Sequence, residues 1–201
     1  MLRGSWSRNF AVLASLVISA WSHADTLSEI RERGEFRLGH RESSSPFSYI
    51  NDKGEAVGYS VDICLKVFDQ VKSELKRSDL RLRMVALKPA DRIAAVKDGR
   101  VDVECGSTTN TVARQKDVAF SYTTFMAGAR CLAKKSSSLK DLNDLRGKTV
   151  VVTEKTTTET VVKQINTERN LNLNVVLALD HAAGFAPMES GEAAAVADAA
   201  E

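Results

Sequence analysis

Lys148-Thr-Val-Val-Val-Thr-Glu-Lys-Thr-Thr-Thr-Glu159 decides how this chain folds. The Val150–Val152 run is β-branched and uninterrupted, the pattern of a strand buried on both faces of a parallel sheet. Thr156-Thr-Thr-Glu159 follows with capping-box spacing and opens a helix through Val161, Val162 and Ile165. A buried strand that turns through small polar residues into a helix is half of a parallel α/β unit. It also points free N–H groups of the helix start at the strand's carboxyl end, which suits an anion.

The same alternation continues on both sides. Downstream, residues 172–179 read as a strand, 181–190 as a helix stopped by Gly191, and 193–197 as one more strand. Upstream, 126–133 reads as a strand, Lys134 and Lys135 as solvated loop lysines, and 139–145 as a short helix closed by Arg146-Gly147. In the first half, Thr26-Leu-Ser-Glu29 has capping-box form, with Leu27 and Ile30 inward and Gly34 as the stop. Strands are expected at 35–39, 80–87 and 101–104, and a hairpin around Asn51-Asp-Lys-Gly54. The clearest helix is 60–75, with Cys64, Val67, Phe68, Val71 and Leu75 at helical spacing. A second helix begins near Arg92, carries Ile93 and Val96, and ends at Gly99. The fold class is α/β with mostly parallel sheets.

Ligands of such sheets lie beyond the carboxyl ends of the strands. Glu104-Cys-Gly-Ser-Thr-Thr-Asn110 leaves a strand and supplies free N–H groups, the hydroxyls of Ser107 and Thr109 and, a few residues on, the guanidinium of Arg114. Those groups make a carboxylate or phosphate receptor. A polar turn with a solvated arginine has the same local pattern, and solvation is equally open to Arg41 and Arg92. Yet Arg41, Arg92, Ser107, Thr109, Arg114, Thr157 and His181 all follow strands. Their convergence favours a small-anion site.

Composition narrows the classes. Arg3 and Arg8 precede an apolar run from Phe10 to Trp21, and Ser22-His-Ala24 provides small residues for a cut before Asp25. This is secretory signal-peptide form. Without Arg3 and Arg8 the 28 basic residues fall to the 26 of the acids. A balanced charge argues against general attraction to nucleic acid or membrane. Cys64, Cys105 and Cys131 are an odd set for an exported chain, and which of them pair is open; Cys64, on an apolar stripe, reads as a buried small hydrophobe. No metal-ligand spacing, Gly-x-Ser-x-Gly elbow or phosphate loop occurs.

Gly39-His-Arg-Glu-Ser-Ser-Ser-Pro-Phe-Ser-Tyr49, Gly58-Tyr-Ser-Val-Asp62, Glu104-Cys-Gly-Ser-Thr-Thr-Asn110, Ala113-Arg-Gln-Lys116 and Asp144-Leu-Arg-Gly-Lys-Thr-Val-Val-Val-Thr153 run in an order that resembles the periplasmic solute-binding proteins of the polar amino-acid class, family 3. The likeness extends to the glutamate/aspartate-binding members that serve ABC importers, and covers 25 to about 191. It implies a two-lobed, type II periplasmic-binding-protein fold: signal peptide 1–24, first lobe 25–126 and partial second lobe 127–201. The expected second lobe and its return to the first are incomplete, because the family pattern continues past residue 201. The resemblance implies capture of L-glutamate or L-aspartate by a monomer in the periplasm, delivery to a membrane permease, and no cofactor, metal, catalytic residue or nucleic acid. Arg114, with Ser107 and Thr109, is expected on the α-carboxylate. Arg41, Arg92 and His181 are expected on the side-chain carboxylate, and Thr157 is the second lobe's contribution. Two departures stand out. Pro89 occupies a place where relatives offer a hydroxyl, and Asp198 lies one position from the family's amine-binding aspartate, so that role is not carried to it. A dehydratase-like enzyme on the same fold and a truncated, non-functional product are the alternatives.

Overall fold

A computed structural model describes residues 25–200. The expected signal peptide lies outside the described residues. The elements are α1 Thr26–Arg33, β1 Glu35–His40, β2 Ser43–Ser44, β3 Ser48–Ile50, β4 Ala56–Val57, α2 Tyr59–Leu75, β5 Arg81–Ala86, α3 Arg92–Lys97 and β6 Val103–Glu104. A 3-10 turn at Arg114–Lys116 leads to β7 Gly128–Leu132, and another at Leu142–Leu145 leads to β8 Thr149–Thr153. The remainder is α4 Thr157–Glu168, β9 Asn174–Ala178, α5 His181–Ser190 and β10 Ala195–Ala200. This is the expected α/β alternation.

Two separate sheets carry it. In the first, β1 lies between β5 and β6, all parallel, with Leu38 beside both Met84 and Val103. Phe36 and Leu38 of β1 point into a core with Ile30, Cys64, Phe68, Leu75, Leu80 and Cys105. In the second, the order is β7-β10-β8-β9, with β8, β9 and β10 parallel and β7 antiparallel to β10. The valine run behaves as its composition requires. Val150 packs with Val162 of α4, while Val151 packs with Ala178 and Val196 near Phe185 and Met188 of α5. Helices cover both faces, so no polar alternation is possible along β8.

A short antiparallel ribbon, β2-β3-β4, holds the expected hairpin. The chain passes from the first sheet to the second through residues 117–127. That passage is anchored by Tyr59, whose hydroxyl donates to Thr124 O at 2.8 Å, and by edge-on contacts among Phe47, Tyr59 and Phe125.

Four expectations are corrected. Helix α1 begins at Thr26, with Asp25 in the cap position making no side-chain bond, and Leu27 is exposed. In so short a helix only Ile30 reaches the face against the sheet. Val67 of α2 is likewise exposed, so its apolar stripe is narrower than the spacing suggested. Cys64 is not a free hydrophobe: it forms a disulfide with Cys105, leaving Cys131 as the free thiol. Helix α2 crosses the sheet just where β6 ends, and this places the two sulfurs together. Of the two loop lysines, Lys134 is engaged, donating to Glu189 O at 2.7 Å. Gly34 and Gly191 do end their helices, both at positive φ.

The disulfide joins residues 41 apart and fastens α2 to the start of the Gly106–Thr109 loop. Constraining a loop of that length is worth about 4 kcal/mol in the chain-entropy model. Cys105→Ser is therefore expected to lower the urea midpoint strongly, and reductant should move the unsubstituted chain by the same amount. Equal midpoints for the oxidised and reduced chain would show that the link adds nothing to stability.

Candidate anion-binding site

Strand β1 ends by delivering Arg41 into the interior. The Arg41 N–H donates to Ser48 Oγ at 2.8 Å, and Ser48 Oγ donates back to Arg41 O at 3.3 Å, which clamps the loop to the ribbon. Arg41 is 1% exposed and Arg92, the first residue of α3, is 3% exposed. Neither is a solvated surface arginine. Arg41 Nε and Nη1 and Arg92 Nε are buried and have no hydrogen-bond partner in the protein. Guanidinium groups held this way are receptors awaiting an acceptor, because an unpaired buried donor is costly.

Arg114 joins them from the 3-10 turn. Its Nη1 donates to Thr109 O at 2.9 Å, and its Nη2 donates to Lys155 O at 3.2 Å. Arg92 Nη2 donates to the same Lys155 carbonyl at 3.3 Å. Two guanidiniums from the first sheet's loops thus converge on one carbonyl just before α4. Lys155 has φ of 56°, a left-handed conformation uncommon for a residue with a side chain. Beside it, Thr109 Oγ1 and Thr157 Oγ1 lie 3.3 Å apart, and Thr156 caps α4 by accepting from Glu159 N at 3.1 Å. Ser107 is half-buried on the same loop as Thr109. Of the residues expected together, Arg114, Thr109 and Thr157 are linked by direct bonds and Arg92 joins them through the shared Lys155 carbonyl.

Glu104, at the end of β6, is the carboxylate that all three arginines feel. Its Oε1 is buried, and a Cβ on Gly106 would stand 2.3 Å from that oxygen and 2.7 Å from Arg41 Cγ. Only glycine permits this approach. Burial pushes the Glu104 carboxyl up, opposed by Arg92, Arg41 and Arg114. Burial pushes Arg92 down to about 10, with Glu104 opposing and repulsion from Arg114 and Arg41 adding. Arg41 and Arg114 are also lowered by burial, and Glu104 again opposes.

His181 opens α5 at the far side. Its Nδ1 lies 2.6 Å from Asp198 Oδ2 and 3.2 Å from Thr153 Oγ1. These two contacts orient the ring through Nδ1 and leave Nε2 as the nitrogen for another partner. The field of Asp198 also reaches Arg41. The site therefore includes an acid at the end of β10 to which the sequence reading assigned no role. Its signal in the sequence was its position, one residue from the family's amine-binding aspartate, and that offset withheld the role. Lys155 was missed for a different reason: it acts through its carbonyl, which every residue has. Pro89, where relatives were expected to offer a hydroxyl, is fully buried. Among the described residues no group of three or more His, Cys, Asp or Glu is placed to hold a metal ion, and no helix is long and apolar enough to cross a membrane.

This arrangement offers three partly dehydrated guanidiniums to anionic oxygens and a separate carboxylate to a cation. The chain is similar to proteins whose names record glutamate and aspartate binding or import. It is 44% identical, over 92% of its length, to the L-glutamate/L-aspartate-binding protein of Pseudomonas aeruginosa. It is 40% identical, over 92%, to the glutamate/aspartate import solute-binding protein of Escherichia coli. The chain covers 62% and 64% of those two relatives, about three-fifths of their length. Among solved structures it is similar to the arginine-bound form of a truncated ArgBP from T. maritima, with a TM-score of 0.73, 29% identity, and coverage of 86% of this chain and 76% of that one. An ancestral amino acid-binding protein, a precursor of cyclohexadienyl dehydratase, gives 0.77, 26%, 87% and 74%. The model of the bacterial extracellular solute-binding proteins, family 3, matches residues 36–192, and the chain belongs to that family.

Proposed function

We propose that this chain binds an acidic amino acid, L-glutamate or L-aspartate, in the periplasm for delivery to an ABC importer, without chemistry or cofactor. The ligand lies between a first lobe at 25–126 and a second at 127–201. The observation that carries this reading is the buried pair Arg41 and Arg92, with guanidinium nitrogens that have no partner in the protein, joined by the half-buried Arg114. A dicarboxylate needs two cationic receptors. Arg114, with Ser107 and Thr109, takes the α-carboxylate, and Arg41, Arg92 and His181 take the side-chain carboxylate. Thr157 adds the second lobe's hydroxyl, and Asp198 faces the ammonium.

Charge supports the choice of an acidic ligand. Three guanidiniums face two carboxyl groups, Glu104 and Asp198, so cationic groups outnumber acidic ones, and an acidic amino acid brings a net negative charge at neutral pH. A neutral amide ligand would leave the excess uncompensated in a site that screens poorly.

Isothermal titration of the chain is expected to show binding of L-glutamate and L-aspartate and far weaker binding of L-glutamine. Arg114→Ala should reduce the affinity by about a hundredfold or more, since truncating one partner of a buried charge pair strands the other. Undiminished binding by that variant would overturn the roles assigned here. Turnover of prephenate or arogenate would replace the reading with an enzymatic one.

The arginines also predict a trade between stability and binding. Keeping Arg92 charged at neutral pH costs on the order of 3 kcal/mol, given its lowering to about 10. Arg92→Met fills the same space without a charge and is expected to raise the melting temperature of the ligand-free chain by several degrees. The stabilisation by L-glutamate should disappear in the same variant. A lower melting temperature would mean that the bond to Lys155 O outweighs the burial cost.

A further inference from the structure

Lys88 stands just beyond the last strand residue of β5, in no bond to the arginine cluster. Its Nζ lies 3.1 Å from Asp180 Oδ2 and 3.7 Å from Glu42 Oε2. Glu42 follows β1 in the first sheet's loops, whereas Asp180 caps α5 of the second sheet. One ammonium is therefore clasped by two carboxylates that belong to opposite sides of the cleft. Asp180 divides its oxygens: Oδ1 accepts from Ala183 N at 2.9 Å, and Oδ2 faces Lys88. The helix cap fixes the direction of the carboxylate, so the contact with Lys88 is aimed.

The charges around this triad are Arg41, which the fields of Glu42 and Asp180 both reach, and His181, the next residue after Asp180. Both belong to the interior, whereas Lys88 and Glu42 are about half exposed. Removing the ammonium would do more than delete an attraction. It would leave Glu42 and Asp180 facing each other across the mouth of the cleft, and like charges there oppose closure.

We propose that Lys88 is a cross-cleft latch, a positioning residue that favours the closed arrangement of the two sides and thereby lengthens the ligand's stay without touching it. The residence-time part rests on the reading of the cleft as an amino-acid site, but closure itself does not. An ion pair made only when the cleft closes acts on dissociation more than on association. Being exposed, it is modest and sensitive to salt.

The test separates the two parts. Spin labels at Lys53→Cys and Glu168→Cys, both exposed, in a Cys131→Ser background report the distance between the two sides of the ligand-free full chain. Lys88→Met, which keeps most of the stem, is expected to shift that distance distribution to longer values at about 20 mM salt. The same variant should speed L-glutamate dissociation about two- to five-fold. Lys88→Arg should behave as the unsubstituted chain, and Glu42→Gln added to Lys88→Met should recover part of the loss. At about 0.5 M salt the differences should vanish. An unchanged distance distribution for Lys88→Met at low salt overturns the latch, whatever the chain binds. A loss confined to association and insensitive to salt also overturns it, because it would make Lys88 a ligand contact. Absence of any amino-acid binding alongside a shifted distance would refute the functional reading and leave the latch standing.

Discussion

Gathering three guanidiniums, two of them buried, around one buried carboxylate is the constraint on which the rest of this structure depends. Arg41, Arg92 and Arg114 come from different elements, and each is lowered by loss of water while Glu104 opposes the lowering. One anion cannot balance three cations at low dielectric, so the cluster holds only if its surroundings cannot relax. The surroundings are accordingly rigid. Arg41 leaves the central strand of its sheet and is clamped by Ser48. Glu104 ends the neighbouring strand, and the residue after it is tied to α2 by the Cys64–Cys105 disulfide. Gly106 removes the side chain that would separate Glu104 from Arg41. The scaffold holds the arginines in place while leaving Arg41 Nε and Nη1 and Arg92 Nε without a partner in the protein.

The same constraint explains how the two sheets are coupled. Arg92 and Arg114 cannot both be satisfied within the first sheet, and each sends one N–H to the carbonyl of Lys155 in the second. That carbonyl is presented by a residue in a strained backbone conformation, of the kind sustained only when neighbours over-determine it. Thr109 and Thr157 add a hydroxyl pair beside it. The coupling is polar and needs no large apolar surface, so separation of the sides would expose charge instead of a hydrophobic core. Polar inter-domain contacts of this kind accompany relative motion more readily than apolar ones do. The anchored passage at Tyr59, Phe47 and Phe125 gives such motion a fixed point.

Much of this was legible in the residues, and the limits have physical causes. The Val150–Val152 run revealed the doubly covered strand because burial on both faces leaves a one-dimensional signature. Arg41, Arg92, Thr109, Arg114, Thr157 and His181 could be collected because strand ends converge in parallel sheets. Their burial could not be read, since a solvated arginine and a buried one have the same neighbours in sequence. The disulfide was missed because Cys64 fits an apolar helical stripe equally well as a free thiol. The pairing depends on where α2 crosses β6, a tertiary fact. Asp198 was noticed but given no role, because a strand of alanines carries little register information to resolve a one-residue offset. Lys88 escaped because its partners, Glu42 and Asp180, are distant in the chain and meet only across the cleft.

The charges of this protein therefore fall into two sets with different physics. The buried set is weakly screened, so its preference for an anion persists over a wide range of ionic strength. Its strength is also its rigidity: each guanidinium is held before any ligand arrives, so little ordering is required on binding. The set at the mouth, Lys88 with Glu42 and Asp180, is about half exposed at Lys88 and Glu42 and is screened by ordinary salt. It cannot supply much affinity, but it adds a screened contact between the two sides to the bonds that Arg92 and Arg114 make to Lys155 O. The proposed selectivity and the proposed latch thus rest on charges in different dielectric surroundings. A change in one can occur without a change in the other.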